Sequence, residues 1–144
     1  MPDKDDVREA SEAFYSALNQ MLGGDASALP GIWVHIQEAT AMHPIGGRQV
    51  GWDDIRASFE RVARSSEGGH VQMTDRLVRV HGDTAYEVGV ERAQFSVAGT
   101  QLAVNSRVTN VYFRADGNWK IIHHHGDKSP GIAEALAKAD KRDK

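Results

Sequence analysis

The feature that most constrains the fold is segment 104–127, which has the pattern of one long β-hairpin. Two runs rich in β-branched and aromatic residues flank an Ala-Asp-Gly-Asn turn at 115–118. Because side chains alternate between the faces of a strand, His123 and His125 are predicted to share one face, and His124 to point to the other. Both faces also carry apolar residues. We therefore expect one face to close a ligand pocket and the other to meet a second subunit.

Length and composition fit one ordinary domain. The 144 residues are predicted to form a single domain with its core at about 5–127 and a charged tail helix over 128–144. A net charge of −3 favours neither nucleic acid nor an anionic membrane surface. The chain has no cysteine, which excludes disulfides, thiolate nucleophiles and cysteine-based zinc sites. No apolar run approaches the roughly 18 residues of a membrane span. The acidic, polar N-terminal segment differs from a secretory signal, so we expect a cytoplasmic protein.

The remaining pattern predicts helices first and strands afterwards. Apolar residues recur at three- and four-residue steps over 3–22 and 51–66, which indicates two amphipathic helices. Strands are predicted over 32–36, 38–42, 71–80, 85–97 and the two arms of the hairpin. This order is typical of an α+β fold, here a cone-shaped, strongly curved antiparallel sheet (an α+β barrel) with the N-terminal helices on its concave face. The wide end of such a cone is expected to stay open as a pocket.

Four short motifs resemble one superfamily. They are FYSALN at 14–19, MHPIG at 42–46, GWDDI at 51–55 and DGNWKIIHHH at 116–125. In this order and spacing they resemble the nuclear-transport-factor-like superfamily, which includes ketosteroid isomerase and the SnoaL-like polyketide cyclases. The third and fourth motifs are also similar to the association domain of calmodulin-dependent kinase. The resemblance covers about 7–127 and implies the cone fold rather than a particular reaction.

The resemblance also implies roles for individual residues. Tyr15 matches the tyrosine that donates a hydrogen bond to the substrate oxyanion in ketosteroid isomerase, and His43 stands where that family has its catalytic aspartate. The second oxyanion donor of that family, a protonated aspartate, has no carboxylic acid counterpart here; Asn110 lies closest to its position. Steroid isomerisation itself is therefore not expected.

The first functional hypothesis is a cofactor-independent enzyme that acts on a small hydrophobic carbonyl compound or epoxide by general acid–base chemistry, as an isomerase, cyclase or hydrolase. His43 would move the proton, because histidine titrates near neutral pH. Tyr15 would stabilise negative charge that develops on oxygen. The predicted substrate-binding residues supply apolar walls and polar contacts: Trp33, Trp52, Phe59, Asn110, Tyr112, His123 and His125.

Two alternatives stay open. The same pocket and outer sheet face would serve a non-catalytic module for ligand binding or assembly, and in either case we expect a homodimer. A metal site is the second alternative, because His123 and His125 are two residues apart on a strand and His43 or His35 would complete a set of imidazole ligands. Strand arginines Arg92 and Arg107 are expected to pair with Glu87 or Glu91.

Overall fold

A computed structural model describes residues 2–142, in which three helices pack around one six-stranded sheet. In chain order the elements are α1 (Pro2–Leu22), a 3-10 turn (Leu29–Gly31), β1 (Thr40–Met42), β2 (Gln49–Val50), α2 (Trp52–Ser65), β3 (Ser66–His81), β4 (Thr84–Val97), β5 (Thr100–Ala115), β6 (Asn118–Gly126) and α3 (Pro130–Arg142). The predicted α+β class is confirmed.

The sheet has the strand order β2-β1-β6-β5-β4-β3. Strands β3 to β6 form the antiparallel meander that the glycine turns predict. However, β1 runs parallel to β6, so the sheet is mixed rather than wholly antiparallel. It is also not closed into a barrel, because β2 and β3 are its two edges within the described residues. The predicted strand at 32–36 is reduced to one bridge between Trp33 and Ile121.

The β5–β6 hairpin forms as expected, with one irregularity that changes which side chains face inward. Asp116 and Gly117 both have positive φ, 52° and 79°, which suits a two-residue turn whose twist matches the strands. Ile121 pairs with Tyr112 and His123 pairs with Val111, so Ile122 is an extra residue without a partner. This β-bulge shifts the alternation by one residue.

The helices bury apolar stripes against the inner face of the sheet. Those of α1 and α2 contain Val7, Phe14, Ala17, Leu18, Met21 and Leu22, and Trp52, Ile55, Phe59 and Ala63. Helix α1 ends at Gly23 and Gly24, and Gly24 has a φ of 102° that favours glycine.

The predicted charged tail helix is present as α3, but one of its faces is buried. Its Ile132, Ala135, Leu136 and Ala139 are buried in a second apolar cluster that includes Phe95, Val97 and Leu102. Arg61 of α2 donates a hydrogen bond to Asp140 at 2.5 Å. The domain core therefore extends beyond residue 127. None of the helices in the described range is long and apolar enough to cross a membrane.

Candidate active site

The helices and the sheet line an apolar cavity of about 100 Å³ that is partly open to solvent. Helices α1, α2 and α3 contribute Leu18, Phe59 and Leu136 to its wall, and the strands contribute Phe95 and Val104 among others. Four side chains with polar atoms reach this wall: His43, Ser58, Glu91 and His124. Within residues 2–142 no lysine or arginine lines it. The lining of the cavity is therefore mostly apolar, with four polar side chains and, among the described residues, no lysine or arginine.

Glu91 is the acidic group of the cavity. It lies on β4, is 7% exposed, and its Oε2 accepts a hydrogen bond of 2.7 Å from the Tyr15 hydroxyl. Burial raises the pKa of Glu91 to about 7; the Tyr15 hydrogen bond opposes the rise and the charge of Glu87 adds to it. At neutral pH the protonated and ionised forms are both populated.

His43 follows β1 and is held by α2. Its Nε2 lies 3.1 Å from Ser58 Oγ, and the Ser58 hydroxyl donates to the carbonyl oxygen of Ile55 at 2.7 Å. Because that hydroxyl has only one hydrogen, His43 Nε2 must be the donor towards Ser58. The ring packs on Phe59, with centroids 4.8 Å apart. Burial lowers the pKa of His43 to about 4, so the imidazole is neutral at pH 7.

His124 is the second histidine of the wall. Its Nδ1 lies 2.5 Å from Asn110 Oδ1, and its Nε2 lies 4.0 Å from Glu91 Oε2. Burial lowers the pKa of His124 well below its ordinary value, and the neighbouring His43, His123 and His125 act in the same direction. This imidazole is also neutral at pH 7.

A buried polar network lies behind the wall. Asn110 Nδ2 donates to Glu87 Oε1 at 2.9 Å and to the Tyr15 hydroxyl oxygen at 3.2 Å. The Tyr112 hydroxyl donates to Glu87 Oε1 at 2.9 Å, and Arg76 Nε lies 3.0 Å from Glu87 Oε2. Burial raises the pKa of both tyrosines, so both phenols keep their hydrogens. The network therefore connects α1, β3, β4, β5 and β6.

The structure brings only part of the predicted set to the cavity. His43 and Phe59 line the wall, whereas Tyr15, Asn110 and Tyr112 belong to the network behind it. Trp33 and Trp52 lie in the aromatic core, with Trp33 packed against Phe59 and Trp52 against His35. A direct contact between a ligand and any residue in the network or the aromatic core remains a prediction.

His123 and His125 share one face of β6 and His124 lies on the other, as the alternation predicts, but the cavity is lined by His124 and not by His123 and His125. Beyond the bulge at Ile122 the buried side chain is His124, and His125 is exposed. His123 Nδ1 instead lies 2.8 Å from Thr40 Oγ1, at the β1–β6 pairing. Among residues 2–142 no group of three or more His, Cys, Asp or Glu side chains is placed to hold a metal ion.

The sequence reasoning missed Glu91, His124 and Ser58. A usable signal was present for Glu91, because Ala85, Glu87, Glu91, Ala93, Phe95 and Val97 share one face of β4 by simple alternation. Two glutamates on an otherwise apolar face indicate buried carboxyl groups. The predicted pairing of Arg92 and Arg107 with Glu87 or Glu91 was wrong: Arg107 pairs with Asp127 at 2.9 Å, Arg92 donates to Thr74, and the strand arginine beside Glu87 is Arg76.

The comparisons with known proteins agree with the fold. The family model described as a SnoaL-like domain matches residues 7–128. No curated protein sequence matches the chain at a significant level. A candidate dehydratase of the NTF2-like family from Streptomyces avermitilis is 25% identical, with 89% of this chain and 96% of that chain covered and a TM-score of 0.79. A nuclear transport factor 2-like superfamily protein from Salmonella enterica is 16% identical over 91% and 95% of the two chains, with a TM-score of 0.77. The CaMKII hub of S. rosetta is 19% identical over 88% and 96%, with a TM-score of 0.69.

Proposed function

Because the chain belongs to the SnoaL-like domain family of the NTF2-like superfamily, we propose that it is an enzyme that transfers protons on a small, neutral, hydrophobic carbonyl compound or epoxide. The observation that carries this proposal is Glu91. It is a carboxyl group with a pKa of about 7 on the wall of an apolar cavity. A group that titrates near the working pH is the most effective proton carrier, because it both accepts and returns a proton.

In the proposed mechanism, Glu91 takes a proton from the carbon next to a carbonyl group. Tyr15 holds the carboxyl group through its hydroxyl, so its contacts favour a positioning role over the oxyanion role first expected. His43 is neutral, and its Nε2 hydrogen is directed at Ser58 on the cavity wall. A substrate oxygen that replaces Ser58 as acceptor would receive this hydrogen bond as negative charge develops on it.

The reaction type is supported at the level of a class. Loss of a proton beside a carbonyl group is a step common to isomerisation, cyclisation and dehydration, and protonated Glu91 would serve as the acid for an epoxide. The description of the S. avermitilis protein as a candidate dehydratase is compatible with this class. Since no lysine or arginine among residues 2–142 lines the cavity, we expect carboxylate- and phosphate-bearing compounds to bind poorly.

The proposal can be tested before the substrate is known. Small hydrophobic ketones such as cyclohexanone are incubated with the protein in D₂O, and deuterium at the carbon beside the carbonyl group is followed by NMR. We expect exchange above the buffer rate, and a loss of about 10²-fold or more in Glu91→Gln, which keeps the shape but not the proton chemistry.

The matched control is Glu60→Gln, which removes a carboxylate from the surface of α2 where Glu60 pairs with Arg56. Its exchange rate should equal that of the wild-type chain. If Glu91→Gln were as active as the wild type, Glu91 would not be the proton carrier. If the protein exchanged deuterium into none of the ketones faster than the buffer does, the proposed proton transfer would be contradicted.

A second candidate function is a non-catalytic module for ligand binding or assembly. It is favoured by apolar side chains left exposed on the outer face of the sheet, with Leu77, Tyr86 and Phe113 at 45%, 40% and 40% exposure. Under this alternative, small neutral ligands would bind in the cavity without deuterium exchange.

A further inference from the structure

The polar network behind the cavity wall determines where the hydrogen of His124 resides. Asn110 lies at its centre and is 0% exposed. Its Nδ2 faces Glu87 Oε1 and the Tyr15 hydroxyl, and its Oδ1 faces His124 Nδ1. Every polar atom of this amide therefore has a protein partner, and its orientation controls what His124 encounters.

Glu87 fixes that orientation. Its Oε1 already accepts a hydrogen bond from the Tyr112 hydroxyl, and Arg76 Nε lies 3.0 Å from its Oε2. A carboxylate beside a guanidinium group has only acceptor atoms. Rotating the Asn110 amide by half a turn would set its oxygen against Glu87 Oε1, two acceptors about one hydrogen-bond length apart, in a site without water contact. The amide is held with its nitrogen towards Glu87.

The orientation of Asn110 in turn selects the tautomer of His124. An amide oxygen accepts but does not donate, so His124 Nδ1, 2.5 Å away, must carry the hydrogen. A neutral imidazole carries a single hydrogen on its two ring nitrogens, which leaves Nε2 with a free lone pair. This nitrogen lies 4.0 Å from Glu91 Oε2.

We propose that Glu87 is a positioning residue that acts through Asn110 to hold neutral His124 as the Nδ1–H tautomer, so that a bare Nε2 faces Glu91 and the cavity. The rings of Phe14 and His43 pack on His124, at centroid distances of 5.4 and 5.5 Å. The bare nitrogen is an acceptor for the hydrogen of protonated Glu91 or of a ligand hydroxyl group. The use of this acceptor in turnover rests on the proposed function, whereas the tautomer itself does not.

The first experiment is ¹⁵N NMR of the chain labelled at its histidine ring nitrogens, at pH 7. A ring nitrogen that carries hydrogen and a bare one differ widely in chemical shift, and His124→Gln identifies the signals by their loss. We expect His124 to show a protonated Nδ1 and a bare Nε2. A protonated Nε2 in the wild-type chain would overturn the proposal without any assay of activity.

The second experiment compares two glutamate variants beside the same arginine. Glu87→Gln offers the Asn110 oxygen a donor, so Asn110 can reverse and we expect an Nε2–H population of His124 that the wild type lacks. The matched control is Glu12→Gln, whose carboxylate lies 4.0 Å from Arg76 but is 72% exposed and does not contact Asn110. It should keep the wild-type tautomer.

Unchanged His124 signals in folded Glu87→Gln would overturn the role of Glu87. If that variant does not fold, as judged by circular dichroism, Asn110→Ala replaces it, since it removes the acceptor at Nδ1 and should also release the tautomer. A pure Nδ1–H form in Asn110→Ala would overturn the relay. Deuterium exchange measured on the same samples reports separately on the proposed function.

Discussion

At the scale of single residues, the cavity combines groups whose burial costs act in opposite directions with pH. Burial disfavours the charged form of every titratable group. It therefore raises the pKa of Glu91 to about 7 and lowers that of His43 to about 4. Folding thus favours protonated Glu91 and neutral His43. Glu91 therefore stabilises the folded protein at low pH, and His43 does so above its ordinary pKa.

His43 makes the protein sensitive to acid. Its folded pKa of about 4 lies below its ordinary 6.5, so its contribution is complete above 6.5 and is lost as the pH falls towards 4. We expect His43→Gln to reduce the loss of unfolding free energy between pH 7 and pH 4 by about 3 kcal/mol. Urea unfolding across this range measures the change. The exposed His70→Gln should follow the wild-type curve, and an unaltered acid limb in His43→Gln would contradict the assigned pKa.

Glu91 has the opposite sign. Its folded pKa of about 7 exceeds its ordinary 4.5, so its contribution is complete below 4.5 and is lost as the pH rises through 7. We predict that Glu91→Gln is more stable than the wild type at pH 8.5, by about 3 kcal/mol at most, and that the difference disappears below pH 4.5. Urea unfolding at the two pH values provides the comparison. Equal stability at pH 8.5 would mean that the carboxylate is not buried at a cost.

At the scale of elements, the parts that follow strict periodicity were predictable, and the parts that break it were not. The stripes of α1 and α2 and the Asp116–Gly117 turn follow from local pattern and turn chemistry. The bulge at Ile122 depends on how β6 meets β5 and β1, which no local signal reports. Because the bulge adds one residue to the alternation, His124 lies in the cavity wall and His123 and His125 do not. The inward direction of Glu91, by contrast, could be predicted from the simple alternation along β4.

Helix α3 shows a second limit of the sequence reading. Its many charges suggested a solvated tail, whereas its small apolar stripe closes the cavity through Ile132 and Leu136. We predict that Leu136→Ala lowers the free energy of unfolding by about 2 kcal/mol and speeds hydrogen exchange in α3. Lys138→Ala, at an exposed position of the same helix, should leave exchange unchanged. Wild-type exchange rates in Leu136→Ala would show that α3 does not depend on this contact.

At the scale of the whole molecule, the two faces of the sheet differ in what covers them. The inner face and the helices form the cavity, and the outer face carries the exposed Leu77, Tyr86 and Phe113. Large exposed apolar side chains in one region are typical of interaction surfaces. The fold is shared with proteins as different as a candidate dehydratase and a kinase hub, so it indicates neither the reaction nor the assembly by itself.

We therefore predict a homodimer formed through the outer face. Light scattering at micromolar concentration should give about twice the 15.8 kDa mass of the chain, and Phe113→Lys should shift the mass towards the monomer by placing a charge in the interface. Ile36→Lys, which places the same charge at an exposed apolar position outside the strands, is the control and should keep the wild-type mass. A mass of 15.8 kDa for the wild type would contradict the prediction.

The measurement that tests the central claim most directly is a ¹³C NMR titration of the Glu91 carboxyl group, with its signal identified by its loss in Glu91→Gln. The account predicts a midpoint near 7, because the carboxyl group lies in an apolar cavity and is held by Tyr15. A midpoint near the ordinary 4.5 would contradict it, since Glu91 would then be solvated and fully ionised at neutral pH.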